Sequence, residues 1–573
     1  MLTLSRETHS FSPDLGPLEY RLLKLGHQLT GTAADTDFVE RAAASAYHDI
    51  EAGGPGGARK VRWAFALSLL ADILAAGGAV HRVDSSIRAA WPDWDTIEGE
   101  TGLRAALQRL RHESHVKPLR RDVLAVLPGR MRSAHVARLL REGVLDLMDA
   151  GSLHPTGFTY GEVFSAAYRS WTMPLRDREG RNRRFVLTVS HPSVPAPLPA
   201  GILEVGDGSP MSPPRDEILG LTPEAFSRWL ETSEGAEARL RALEARLSAL
   251  LAAVRPIEGL DVSDHDALYT QTKELEEFAS GRSVTAQDFK EKKRLSYIVR
   301  LTRGREAMRA HQAGRTPKPG DEYAAVRVMR DLTVPRVNLE LTVCGALPPF
   351  ATGLVGKLVV AFAADRRIRG VCRRMPGSIL EAVFNLERLQ AQVPRCGAIL
   401  LTTKGLFPRH SAQYSRAELP GRQDARPVPL RKIGDTAGIT ASLMSKRTYR
   451  LAMALLEQAS TSRSVSGVFG SGGSKRQRRI EAAVQELGLP EAIIHPRIKR
   501  PIYAAALVSN LQDVCLLNYR PNWTVPTCAP KDYANDASRL WRERWLRAAE
   551  RRLNSYRDDW IEGVQDQLLG ELD

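Results

Sequence analysis

A run of four cations toward the C-terminal end is the strongest candidate for binding chemistry in this sequence. It follows the glycine-rich segment 470–473 and precedes apolar residues at helical spacing. Ser474 is suited to cap such a helix, and free N–H groups in the first turn would hold a phosphate together with the cations. The alternative is a solvated basic helix face. The cations are Lys475, Arg476, Arg478 and Arg479.

A second candidate site combines a glycine-rich turn with polar residues that follow a strand-like run. The turn Gly353-Leu-Val-Gly356-Lys357 joins an apolar strand-like segment to a helix-like one, and Gln413 and Tyr414 follow the next strand-like run. Loops at the carboxyl ends of strands usually carry the chemistry of α/β proteins. Gln413 is able to read a base edge or to cap a turn. Gly353 and Gly356 have an alternative role, which is to let a helix pack closely on the sheet. The alternative for Tyr414 is that it covers the sheet edge.

The strand-like and helix-like segments around these residues predict an α/β (α+β) protein with a central mixed sheet. Strand-like runs at 185–190 and 201–205 begin the sheet, and further runs at 324–330 and 338–344 resume it. The predicted units are a helical N-terminal region at 1–150, the first part of the sheet at 151–221, an inserted helical hairpin at 222–320, a central α/β block at 321–420 and a basic C-terminal region at 421–573.

Apolar spacing predicts the main helices. Leucines at 240, 243, 247 and 250 indicate the inserted hairpin, and the segment 131–148 is amphipathic. Near the end, aromatic and apolar residues repeat at helical spacing among arginines, which predicts the buried face of a docked helix or, alternatively, a surface that stacks bases. The residues of this stripe are Trp541, Trp545, Ala549, Leu553, Tyr556 and Trp560.

Charge and composition favour a nucleic-acid partner, and we expect DNA. The chain has 573 residues and a formal net charge of +15, with a pI near 9.7, and such a surface attracts polyanions. A bias toward arginine in the genome is the alternative explanation. Five cysteines without a Cys-x-x-Cys pair indicate neither a zinc site nor a disulfide framework. Without a long apolar run or a secretory signal, the sequence predicts a cytoplasmic protein that does not bind membranes.

Four segments of the central block resemble the DruA family, a component of the bacterial Druantia anti-phage defence system. They are VCGALPPF (343–350), LVGKLVV (354–360), LLTTKGL (400–406) and SAQY (411–414), with flanking matches at PRDEILGL (214–221), VFGSGG (468–473) and RPIY (500–503). The similarity covers roughly residues 60–520. The resemblance implies a role in anti-phage defence, with other proteins of such a system as partners.

The central block is also similar to the cofactor-binding element of GNAT-type acyltransferases. The resemblance implies that Gly353, Gly356 and Lys357 line the pyrophosphate site of acyl-coenzyme A, and that Tyr414 protonates the leaving thiolate. The turn departs from that pattern because its glycines are further apart. Three functions follow as hypotheses: a nucleic-acid-binding defence component, an acyltransferase-like enzyme that acts on a base or protein, and a structural or transposition-related protein that forms homo-oligomers.

Overall fold

A seven-stranded, mostly antiparallel sheet organises the fold, with helices on both of its faces. The mixed α/β class predicted from the sequence is therefore confirmed. The structure is a computed structural model. It describes residues 131–164, 167, 182–207, 212–231, 235–258, 260–261, 264–280, 286–347, 349–351, 353–373, 378–405, 413–422, 425–436, 446–458, 475–488 and 500–555, together with Phe65, Leu69 and Val123.

The strands of the main sheet follow the order β1-β2-β3-β4-β5-β9-β8. The pair β4 and β5 is parallel, and the other neighbours in this sheet are antiparallel. A separate two-stranded sheet joins β6 to β7. The strands are β1 (Val144–Asp149), β2 (Arg183–Ser190), β3 (Leu198–Asp207), β4 (Asn338–Ala346), β5 (Leu400–Lys404), β6 (Glu418–Leu419), β7 (Val428–Pro429), β8 (Arg431–Asp435) and β9 (Pro501–Ala506).

The helices connect these strands in chain order. They are α1 (Ser133–Glu142), α2 (Pro213–Ile218), α3 (Pro223–Glu231), α4 (Ala236–Ala252), α5 (His265–Ser280), α6 (Ala286–Gln312), α7 (Asp321–Val337), α8 (Val355–Ala361), α9 (Arg366–Arg369), α10 (Ser378–Val383), α11 (Leu386–Ala391), α12 (Lys446–Gln458), α13 (Lys475–Glu486), α14 (Leu511–Leu517) and α15 (Pro530–Ser555).

Two apolar cores lie on opposite faces of the central strands. Successive side chains of a strand point to opposite faces, and accordingly Leu401 belongs to one core while Leu400 belongs to the other. The Leu401 core takes in α1, α8 and α15, and the Leu400 core takes in α3 to α7 and α14. The two candidate residues Gly353 and Lys357 therefore sit on the α15 side of the sheet.

The inserted helical region is present, and it is larger than the predicted hairpin. Leu243, Leu247 and Leu250 of α4 are buried, as their spacing indicated. The helices α4, α5 and α7 each pack against α6. The helical segment runs on to Val337, directly before β4.

One predicted strand and the end of one predicted helix are wrong. Residues 324–330 form part of α7 rather than a strand, because Ala325, Val328 and Met329 recur at helical spacing and bury one helix face. The predicted helix over 131–148 ends at Glu142, and β1 follows. Gly143 makes this change possible: a Cβ there would lie 2.4 Å from the carbonyl oxygen of Leu139.

Other predicted elements lie outside the described residues. These include the helical patterns before residue 131, apart from the isolated buried positions Phe65, Leu69 and Val123, and the last two aromatic residues of the C-terminal stripe, Tyr556 and Trp560. Across the ranges that the structure describes, none of the helices combines the length and apolarity that a bilayer span requires.

Candidate functional site

The parallel strands β4 and β5 pair over only part of their length. Asn338 to Leu341 lie opposite Leu400 to Thr403, and β4 then continues to Ala346 beside β3. A register shift in the β3–β4 ladder leaves Thr342 as an extra residue of β4 between Leu341 and Val343. The end of β4 thus borders a space that another segment must fill.

The turn that carries Gln413 and Tyr414 fills this space. The side-chain amide of Gln413 donates from Nε2 to the carbonyl oxygen of Cys344, at 2.9 Å. Tyr414 is half-buried and its ring centroid lies 5.6 Å from that of Tyr503 on β9. Gln413 therefore acts as a structural substitute for the missing strand partner of Cys344.

Burial keeps both potential reactive groups of this space protonated. It raises the pKa of the Cys344 thiol to about 12, in spite of the nearby Gln413 amide. It also raises the pKa of Tyr414 above its ordinary value, with a smaller contribution from Cys344. A thiol with so high a pKa is a poor nucleophile. Tyr414 retains its proton at neutral pH, as a proton donor must.

The turn before α8 packs closely against neighbouring helices. A Cβ on Gly353 would lie 2.8 Å from Cδ1 of Leu140 on α1, and Leu354 adopts a left-handed conformation with φ 59°. The indole Nε1 of Trp541 on α15 lies 3.4 Å from the carbonyl oxygen of Leu354. The helices α1 and α15 therefore cover Gly353 and Leu354 of this turn.

Gly356 and Lys357 contact the Gln413 segment directly. A Cβ on Gly356 would lie 3.3 Å from the side-chain carbon Cδ of Gln413, and Lys357 Nζ donates to the Gln413 carbonyl oxygen at 3.2 Å. The structure thus brings together four of the residues selected from the sequence, Gly356, Lys357, Gln413 and Tyr414. Together they occupy the space beside the end of β4, where β5 no longer pairs with it.

Lys357 also belongs to a group of three cations with Arg416 and Arg544, which we call the buried cluster after Lys357, its buried member; Arg416 and Arg544 are exposed. The Lys357 ammonium lies 4.6 Å from the ring centroid of Trp545, and the Arg544 guanidinium carbon lies 5.4 Å from the same centroid. Arg544 pairs with Glu418. Burial, followed by the charges of Arg416 and Arg544, lowers the pKa of Lys357 to about 8.

The four cations selected from the C-terminal region lie on α13, which begins at Lys475. We call these four residues the α13 cations: Lys475, Arg476, Arg478 and Arg479. Arg479 donates to the hydroxyl of Tyr449 on α12. The first turn of α13 contains no acidic residue.

The helices α12 and α13 pack on each other through apolar residues. Leu451 and Leu455 of α12 and Ile480 and Val484 of α13 are buried, and they belong to neither of the two cores beside the sheet. Both helices fall between the edge strand β8 and its neighbour β9 in the chain. The α13 cations are therefore carried on a two-helix unit inserted in the chain between β8 and β9.

Sequence reasoning missed the role of Arg416. It lies three residues after Gln413 and approaches Lys357 only through the fold, so no local spacing marks it. The stripe near the C-terminal end did contain a signal, since it interleaves Arg544 with Trp545. Trp541, Ala549 and Leu553 are buried, which agrees with the docked-helix interpretation.

Neither a search for metal-binding groups nor the comparison with known proteins identifies a further site. Within the described residues, no group of three or more His, Cys, Asp or Glu side chains is arranged to hold a metal ion. No family model matches the chain, and no curated protein or solved structure is similar to it.

Proposed function

We propose that this protein binds nucleic acid, with DNA as the expected form, through the sugar-phosphate backbone at the α13 cations. The observation that carries the proposal is the placement of four cationic residues in the first five positions of α13, where no acidic residue accompanies them in the first turn. A helix N-terminus has a positive dipole end, so cations there oppose the stability of the helix. A bound phosphate would relieve this repulsion and accept hydrogen bonds from the free N–H groups.

The surroundings of α13 support a binding unit. Its apolar residues, among them Ile480 and Val484, are used in packing on α12, and the hydrogen bond from Arg479 to Tyr449 ties the first turns of the two helices together. The packing on α12 thereby fixes the position of α13. The net charge of +15 adds a long-range attraction for any polyanion.

The resemblance to the DruA family gives this proposal a biological setting. In that setting the protein would engage invading DNA in a bacterial anti-phage defence system, and partner proteins would supply energy or cleavage. The proposal attributes to this chain a backbone-binding role and no reaction.

The test is a salt series with labelled single-stranded and double-stranded DNA and RNA, using the wild type and the triple variant K475E/R476E/R478E. Arg479 is retained because its hydrogen bond to Tyr449 holds α13 on α12. Acidic residues in the first turn stabilise a helix, because they interact favourably with the positive end of its dipole. The triple variant should therefore fold at least as well as the wild type. We expect the slope of log K against log salt to fall by roughly 3 on double-stranded DNA, since each lost phosphate contact removes about 0.9.

The matched control reverses three exposed cations elsewhere, K273E/K290E/R315E, and changes the net charge by the same amount. These residues belong to α5, to α6 and to the segment directly after α6. Weaker binding in the α13 variant than in this control supports the proposal. Equal weakening in both would show that only bulk charge matters, and no binding by the wild type would overturn the proposal.

A further inference from the structure

We propose that the hairpin of β6 and β7 is a second contact surface for nucleic acid and binds the sugar-phosphate backbone through exposed arginines. We call this hairpin the basic ribbon, and its described residues are 416–422 and 425–431. The inference rests on the proposed binding of nucleic acid and adds a region that the α13 cations do not include. The arginines of the basic ribbon are Arg416, Arg422, Arg426 and Arg431, and all of them are exposed.

One pair of arginines lies where the basic ribbon begins and ends. The N–H of Leu430 donates to the carbonyl oxygen of Ala417, at 3.0 Å. Arg416 directly precedes Ala417 in the chain, and Arg431 directly follows Leu430. A hydrogen bond therefore joins the immediate neighbours of these two arginines, and both arginines are exposed at the same end of the ribbon.

The second pair lies at the turn of the basic ribbon. The N–H of Ala425 donates to the carbonyl oxygen of Arg422 at 3.1 Å, and Arg426 follows in the chain. Gly421 lets the two strands approach each other here, because a Cβ on it would lie 2.5 Å from the carbonyl oxygen of Arg426. Residues 423–424 complete the turn and lie outside the described residues. Strands rise about 3.3 Å per residue, so the two arginine pairs lie roughly 15–20 Å apart along the ribbon.

Packing fixes the basic ribbon on the body of the protein. Leu419 and Leu430 are buried in the core on the α15 side of the sheet. At the turn, the N–H of Arg422 donates to the carbonyl oxygen of Thr524, at 2.8 Å. The backbone that carries the arginines has therefore lost its freedom on folding, and binding does not have to order it again.

The charge pattern of the basic ribbon fits a linear polyanion. Glu418 is the carboxylate among its described residues, and it pairs with Arg544 of α15. An arginine fork donates two parallel hydrogen bonds to phosphate oxygens. One DNA strand carries a phosphate about every 3.4 Å of helix axis, so the length between the two arginine pairs matches roughly five phosphates. A nucleic-acid backbone can therefore contact both pairs at once, whereas a compact anion cannot.

The basic ribbon and the two-helix unit of α12 and α13 adjoin opposite ends of β8 in the chain. Arg431 ends the ribbon and begins β8. The segment that carries α12 and α13 leaves after Thr436 and returns at Arg500, where the Thr436 N–H donates to the Arg500 carbonyl oxygen at 2.9 Å. The two basic regions are thus attached to the sheet at the two ends of one short strand, which allows one nucleic-acid molecule to contact both.

The experiment measures binding of the full-length chain to labelled double-stranded DNA across a salt series. The ribbon variant is R422E/R426E/R431E, which changes the net charge by the same amount as the α13 triple variant and its control. We expect the slope of log K against log salt to fall by roughly 2 to 3 in the ribbon variant, at about 0.9 for each lost phosphate contact. When the ribbon and α13 reversals are combined, the two reductions should add, because separate sites contribute independently.

A second variant separates binding from damage to the fold. R422Q/R426Q/R431Q removes the three charges without adding acidic residues, and its matched control is K273Q/K290Q/R315Q. All of these positions are exposed, so the variants should unfold at the same urea concentration as the wild type. A larger fall of the slope in both ribbon variants than in their controls supports the inference. Equal slopes in the ribbon variants and their controls would overturn it.

Failure of this inference and failure of the proposed function give different results. If the α13 variant weakens binding while the ribbon variants behave as their controls, the basic ribbon is not a contact surface and the proposed function stands. If only the ribbon variants weaken binding, the ribbon is the contact surface and the placement at α13 is wrong. If the wild type binds no nucleic acid, both are wrong.

Discussion

The α13 cations and the buried cluster are both rich in positive charge, but the fold gives them different surroundings. The α13 cations lie within five consecutive positions and begin a helix on a two-helix unit inserted in the chain between β8 and β9. In the buried cluster, Lys357 of α8 and Arg544 of α15 both lie against Trp545, and Arg416 comes from the turn after β5. One region is defined by local sequence, and the other by tertiary structure.

This difference determines how each region should respond to its solvent. A protein that neutralises phosphates releases their counterions, so we expect binding at the α13 cations to depend strongly on ionic strength. A buried cation is screened less, and its main cost is desolvation, which depends on its protonation. The contribution of Lys357 to stability should therefore depend more on pH than on salt.

The largest effect that we expect in this comparison is on the pH dependence of stability. The folded protein holds the pKa of Lys357 at about 8, below its usual value of 10.5. Between these two values the unfolded chain binds a proton that the folded chain does not, so the stability of the fold should rise with pH across this window. The full rise is on the order of 3 kcal/mol, at about 1.4 kcal/mol per pKa unit.

The measurement is urea unfolding of the wild type and K357M at pH 7.5 and at pH 10. Because the other titrating groups are common to both proteins, the difference between them isolates Lys357. K357M should be the more stable protein at pH 7.5, and this advantage should shrink by pH 10. An advantage that stays constant with pH would show that the charge on Lys357 costs the fold nothing.

A smaller effect concerns the glycine turn that lies beneath the buried cluster. Gly353→Ala would place a Cβ 2.8 Å from Cδ1 of the buried Leu140, and overpacking of this kind costs about 1–3 kcal/mol. Gly370 is the matched control, since a Cβ there meets nothing within 4 Å and its φ is −67°. Gly370→Ala should stabilise the fold by about 0.4–1 kcal/mol through the unfolded chain.

Urea unfolding of the two alanine variants tests this prediction. If Gly353→Ala and Gly370→Ala unfold at the same urea concentration, the turn at Gly353 is not held by close packing. In that case its glycine would be available for contact with a ligand, as the acyltransferase resemblance implies. A lower midpoint for Gly353→Ala alone supports the packing interpretation.

Periodic apolar patterns predicted the parts of this fold that local sequence controls. Leu243, Leu247 and Leu250 of α4 are buried, and so are Trp541, Ala549 and Leu553 in the described part of the α15 stripe. The same reasoning failed at 324–330, where short runs of alanine and valine suit a strand or a buried helix equally well. Only packing against α6 and the sheet decides for α7.

The candidate sites divide in the same way. The four α13 cations could be selected because they are adjacent in sequence. Gly356, Lys357, Gln413 and Tyr414 were selected as two groups, and the structure joins them. Arg416 could not be found, because its approach to Lys357 depends on how the turn after β5 crosses α8, which no local pattern records.

The smallest expected effect is the response to coenzyme A. Because α1 and α15 cover the turn at Gly353, coenzyme A should find no site there. Coenzyme A should therefore leave the melting temperature of the wild type unchanged relative to sodium chloride at matched ionic strength. A rise in the melting temperature would require a site for coenzyme A on the folded protein. That result would make the acyltransferase-like hypothesis the stronger one, and Tyr414, which retains its proton at neutral pH, would become the first residue to replace.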